Sequence, residues 1–137
     1  MQVTSIEQLK KIKMGEVVEL PSFDDGTPFI AELKKPSIIA MMAGGKFPNT
    51  LMPIVMDMFR HGKGQEVINK ALDNGEDFKV LLQMLEVLAR ECLINPSYSQ
   101  LKEIGIELNE NQLSAILQYT QGGLKALENF RKQQEHN

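Results

Sequence analysis

The sequence predicts a mainly α fold with a small β element (α+β): a helical bundle around a central buried helix, with an N-terminal β-hairpin. Three observations lead there. Over residues 77–94 the polar residues Lys79, Gln83, Glu86 and Arg90 recur at steps of four, three and four, leaving most of the rest apolar. A helix with so narrow a polar stripe is buried on most sides. Most other segments repeat apolar residues every three or four positions between Gly, Pro and Asn breaks, and only two runs are β-prone.

Taken in chain order, Thr4 and Glu7 have capping-box spacing and precede Ile6, Leu9 and Ile12 at three-residue steps, which predicts a helix over about 5–13 ended by Gly15. Glu16-Val17-Val18-Glu19-Leu20 and Phe29-Ile30-Ala31-Glu32-Leu33 flank Pro21, Asp24-Asp25-Gly26 and Pro28, a hairpin signal with a long loop. Such a hairpin is marginal alone, so the following helices are its expected cover.

Pro36-Ser37 opens a short helix closed by Gly44-Gly45. Asn49 or Thr50 caps the next, which tolerates Pro53 in its first turn and ends near His61-Gly62. A helix over about 65–73, stopped by Asn74-Gly75, precedes the central one. Asn95-Pro96 starts a short helix running to Ile104 and Gly105, and Asn109 with Gln112 forms another candidate capping box. In the last helix Leu113, Ile116, Leu117, Thr120, Leu124, Leu127 and Phe130 keep one phase through Gly122-Gly123, as one kinked helix or two that share a face. The expected organisation is a single domain over 1–137, with the N-terminal helix and hairpin over about 5–34 and the helical region over about 36–133.

Composition narrows the function. Hydrophobic residues at 42% and charged residues at 24% are ordinary globular values and argue against disorder. A formal net charge of −3 argues against a nucleic-acid partner, because such proteins carry a basic face that displaces counterions. The first residues hold Gln2, Thr4, Ser5 and Glu7 where a signal peptide needs an apolar run, and no apolar stretch is long enough to span a bilayer. A cytosolic setting, without membrane contact, is expected.

The search for chemistry is brief. His61 and His136 have no second ligand at helical spacing, so no metal is expected. Cys92, the single cysteine, lies on the apolar side of the central helix and reads as a buried structural thiol. Gly44-Gly45-Lys46 and Gly62-Lys63-Gly64 lack the spacing and the Ser/Thr of a phosphate loop. Asp24-Asp25-Gly26 reads as a turn. The expectation is no enzyme, no cofactor and no catalytic residue.

Methionine is the unusual feature. Met41, Met42, Met52, Met56 and Met58 cluster in one short region. Methionine is flexible and polarizable, and surfaces that accept varied helical partners use it. Over 51–60, Leu51, Ile54, Val55 and Met58 form one stripe and Met52, Met56 and Phe59 another. One stripe can face the core and the other a partner, or both can be buried in the same domain.

Several strings then carry a family likeness: Gly15-Glu16-Val17-Val18-Glu19-Leu20-Pro21, Lys35-Pro36-Ser37, Gly45-Lys46-Phe47-Pro48-Asn49, Asn95-Pro96-Ser97-Tyr98, Leu108-Asn109-Glu110-Asn111-Gln112-Leu113, Tyr119-Thr120-Gln121-Gly122-Gly123-Leu124 and Phe130-Arg131. Through these the chain resembles the tail assembly chaperones encoded by long-tailed bacteriophages and prophages of Gram-positive bacteria. Asn111 stands where an acidic residue is expected, a departure without mechanistic weight because the family carries no catalytic set.

The resemblance implies a chaperone that binds the tape measure protein, keeps it soluble and assists assembly of tail tube protein around it. It would act in the host cytoplasm and leave before the virion is complete, and many such proteins also have a longer frameshifted form. The alternative is a structural tail or neck component, which purified particles would contain. The residues expected to meet partners are Met52, Met56 and Phe59, with Leu124 and Leu127 of the last helix. Work along a filament in many copies would also favour self-association.

Overall fold

The computed structural model describes residues 1–60 and 64–135. It is 61% helical with a three-stranded antiparallel sheet, which is the mainly α (α+β) class expected. The order is α1 (Ile6–Lys13), β1 (Glu16–Leu20), β2 (Phe29–Leu33), α2 (Ile38–Ala43), a 3-10 turn (Asn49–Leu51), α3 (Met52–Val55) and a π turn (Met56–Arg60). Then come α4 (Gly64–Leu72), α5 (Gly75–Cys92), β3 (Leu93–Asn95), α6 (Tyr98–Glu103) and α7 (Glu110–Glu135).

Helix α5 is the centre of the bundle and packs against both α4 and α7. It buries Leu81, Met84, Leu85, Leu88, Ala89 and Cys92, and the polar stripe at Lys79, Gln83, Glu86 and Arg90 faces outward as its spacing requires. Its bounds differ from 77–94. Asn74, expected only as a stop signal, caps α5 by accepting the Glu76 N–H on Oδ1 at 3.0 Å. At the other end the helix yields to β3, because residues ahead of Pro96 disfavour the α conformation and β2 offers pairing partners. The Lys34 N–H donates to the Cys92 carbonyl at 2.9 Å, closing the junction.

The expected hairpin is therefore two strands of a three-stranded sheet ordered β1-β2-β3. β1 and β2 pair in register from Glu16 with Leu33 to Leu20 with Phe29. Val18, Leu20, Phe29, Ala31 and Leu33 point into the core, and Val17, Glu19 and Ile30 point out. Gly15 lies under β3: a Cβ there would collide with the end of Ile94 and come within 2.9 Å of the Leu33 carbonyl oxygen. The need for glycine at 15 is close packing on the sheet, with Met14 as the helix C-cap.

Two caps sit one or two residues from their expected places. The α1 capping box is Ser5 with Gln8, and Thr4 and Glu7 take no part in it. Ser97 with Gln100 caps α6, while Asn95 belongs to β3. The third box forms as expected: the Asn109 N–H donates to Gln112 Oε1 and the Gln112 N–H donates to Asn109 Oδ1, both at 2.9 Å.

That third box also ties the helix to the sheet. Gln112 is fully buried, and its Nε2 donates to the Pro21 carbonyl at 3.0 Å. Asn109 Nδ2 donates to the Ser22 carbonyl and to Asp24 Oδ1, both at 3.1 Å. Further along, the Tyr119 hydroxyl donates to Glu16 Oε1 at 2.6 Å. One face of α7 thus holds both ends of β1.

Helix α7 is one element of 26 residues, and it bends at the glycine pair. A Cβ on Gly122 would stand 2.7 Å from the Ala126 Cβ. Side chains four apart on a regular helix stand about 5–6 Å apart. The chain is folded tightly towards that side, as glycine pairs allow. The far half returns to the sheet, where Arg131 Nη2 lies 3.2 Å from Glu19 Oε1.

Two substitutions test this account. Gly122→Ala should lower stability by roughly 1–3 kcal/mol, because the helix must straighten to admit the methyl group. In a straight helix the same change would raise stability by about 1 kcal/mol, so urea denaturation decides by sign. Gln112→Ala should cost about 2 kcal/mol in the same assay, since it strands the buried Pro21 carbonyl and the Asn109 N–H.

Candidate partner-binding groove

Segment 36–43 reads Pro-Ser followed by six apolar residues, too apolar for an ordinary surface helix. Ser37 caps it by accepting the Ala40 N–H on Oγ at 3.2 Å. Only Met41 of α2 is buried, with Ile38 and Met42 half-buried and Ile39 81% exposed. Helix α2 is thus an apolar wall set against solvent.

The opposite wall is the methionine-rich segment, whose two stripes differ in burial, although Met52 and Phe59 of the second also pack against the core. Leu51, Val55 and Met58 are buried in the core, with Ile54 packed at its margin. Met52, Met56 and Phe59 are half-buried. The segment is not one regular helix but passes from 3-10 through α to π geometry. A π turn is rare and is found disproportionately at functional positions.

Between the walls runs a groove of about 690 Å³, floored by Thr120 and Gln121 of α7 next to the bend. Met42 and Ile39 line one side and Met56 and Phe59 the other; among the described residues Lys35 is the one charged residue on its lining. The volume lies in the range of ligand pockets, yet the lining offers no acid, base or nucleophile pair. Apolar, adaptable walls of this kind accept the apolar face of a helix.

The expected partner residues fall in different places. Met56 and Phe59 line the groove, and Met52 lies half-buried on the same segment outside its lining. Leu127 is 1% exposed and belongs to the core, on the same face of α7 as the buried Leu113, Ile116, Leu117 and Thr120, so it is not offered to a partner. The side chain of Leu124 lies outside the described residues, as do His61, Gly62, Lys63 and His136. Ile39 and Met42 were not singled out as contacts by periodicity, though the unbroken apolar run Ile38–Ala43 carried the signal.

Of the residues considered for chemistry, Lys46 Nζ lies 3.6 Å from Glu91 Oε1 in a partly exposed ion pair. Cys92 is fully buried, and burial pushes its thiol from 9.0 up to about 12. Burial, and then donation of its hydroxyl to Glu16, raises the Tyr119 phenol as well. Among the described residues no three His, Cys, Asp or Glu side chains gather as a metal site would require. Asp25 accepts the Thr27 N–H at 2.9 Å and its carboxyl is held below the ordinary value by that bond, as befits a turn.

The buried thiol sets two expectations. A thiol reagent at about pH 8 should label Cys92 only at the rate of unfolding, followed by mass spectrometry. Stability should also fall as pH rises from about 9 towards 12. In that window the unfolded thiol sheds its proton while the folded one keeps it, so the unfolded state binds fewer protons and gains. Urea midpoints at about pH 8 and pH 10 measure the loss.

No known protein family, characterised protein or solved structure matches this chain.

Proposed function

We propose that this protein is a tail assembly chaperone of a long-tailed bacteriophage or prophage, binding the tape measure protein and assisting assembly of tail tube protein around it. The observation that carries the reading is the methionine-lined groove between α2 and the 52–60 segment, an adaptable apolar surface on a well-packed scaffold. It fits a holdase for helical segments, where binding energy comes from buried apolar area and no bond is made or broken. The family likeness of its sequence strings supports the same reading. In this role the protein is no enzyme, needs no cofactor, acts in the host cytoplasm and is absent from the finished virion. No helix among the described residues is long and apolar enough to cross a membrane.

Co-expression with the tape measure protein of the neighbouring gene, followed by a solubility assay and pull-down, tests the reading. The partner should become soluble and be retained. Met56→Asp should weaken retention at least tenfold while the fold survives, since a half-buried charge in the groove remains partly hydrated but loses the apolar contact. A partner that stays insoluble and unbound beside a folded protein would overturn the proposal and favour a structural tail or neck role. Gross unfolding of the Met56→Asp variant would place Met56 in the core.

A further inference from the structure

Two apolar surfaces away from the groove have no cover. Helix α1 makes no extended packing against any other element, and its stripe Ile6, Leu9 and Ile12 is exposed, Ile12 to 77%. An eight-residue helix is marginal in water by itself, so its apolar stripe needs a surface to rest on. The outer face of the sheet is the second. Val17 is 71% and Ile30 60% exposed, with Ile94 beside them. The two are diagonal neighbours on adjacent strands, each opposite a carboxylate: Val17 faces Glu32 and Ile30 faces Glu19.

The charges on these surfaces are opposite. Helix α1 carries Lys10 and Lys11 beside the stripe against a single Glu7. The sheet face carries Glu19 and Glu32, but Glu19 is already paired with Arg131 at 3.2 Å, so Glu32 supplies the net negative charge of that face. The groove between α2 and the 52–60 segment suits α1 poorly, because Lys35, the charged residue among its described lining residues, has the same sign as Lys10 and Lys11. We propose that the outer face of the sheet is the seat of α1 from a second copy of this chain, with its apolar stripe over Val17 and Ile30 and its lysines near Glu32.

The chain's own helix is poorly placed to take that seat. Only Met14 and Gly15 join α1 to β1, and Gly15 is wedged beneath Ile94 and against the Leu33 carbonyl. Swinging α1 over its own sheet would dislodge that contact. Each copy offers one helix and one acceptor face, so a twofold pair exchanges helices and covers both surfaces at once, the commonest closed symmetry. The contact is independent of the groove and leaves it open.

Light scattering on the full chain over a dilution series tests the pairing. The mass should rise from monomer to dimer with concentration. Lys10→Glu/Lys11→Glu and Glu32→Lys should each remain monomeric, and their equimolar mixture should regain the dimer, because in the mixed pair every helix meets a face of opposite charge. All three positions lie outside the core, and circular dichroism confirms folding of each variant. Oxidised Leu9→Cys/Ile30→Cys should run as a covalent dimer on a non-reducing gel. A chain that stays monomeric, grows past a dimer, ignores both charge reversals or closes the disulfide within one copy overturns the proposal.

Discussion

The capping box of Asn109 and Gln112 is the interaction on which the remaining architecture depends. A capping box ordinarily satisfies the free N–H groups of one helix start. Here the same two amides have hydrogen-bonding capacity to spare, and they spend it on the Pro21 and Ser22 carbonyls and on Asp24 at the end of β1. The box therefore fixes a helix start and a loop 85 or more residues away in sequence with one set of bonds. Because Gln112 is fully buried, each of its bonds is made without competition from water, and losing one leaves a desolvated polar group.

From that anchor the geometry of α7 follows. Tyr119 reaches Glu16 at the start of β1, so the first half of α7 lies along the strand. Beyond Gly122-Gly123, Leu127 is buried in the core and Arg131 lies against Glu19. The same region places Thr120 and Gln121 under the methionine-lined groove. The groove floor is set by a backbone bend, while its walls are set by two short apolar helical segments. Methionine-rich walls of this kind suit the proposed binding of related helical sequences.

The uncovered surfaces sit on the opposite kind of foundation. The outer sheet face and α1 are regular elements with exposed apolar residues, held apart by a two-residue connector. Regular, preformed surfaces with opposite charge favour one specific mate, whereas the groove favours a class of mates. In the proposed roles, self-association and partner binding occupy separate parts of one small chain, and neither blocks the other.

Much of this was legible in residue spacing. The polar stripe of α5, the β1-β2 hairpin and the Asn109-Gln112 box all depend on local periodicity and short-range hydrogen bonding, which the sequence by itself determines. What only the tertiary structure decided has non-local causes. β3 is three residues long and exists because β2 is there to pair with it, so it took the end of a helix that periodicity extends to 94. Leu127 shares the phase of Ile116, Leu117 and Thr120, and only the packing shows that this face meets the core on both sides of the glycine pair. The apolar stripe of α1 looks like any core-facing stripe in sequence, and only the packing shows it uncovered. Periodicity states which residues share a face; the arrangement of all elements in space decides what that face meets.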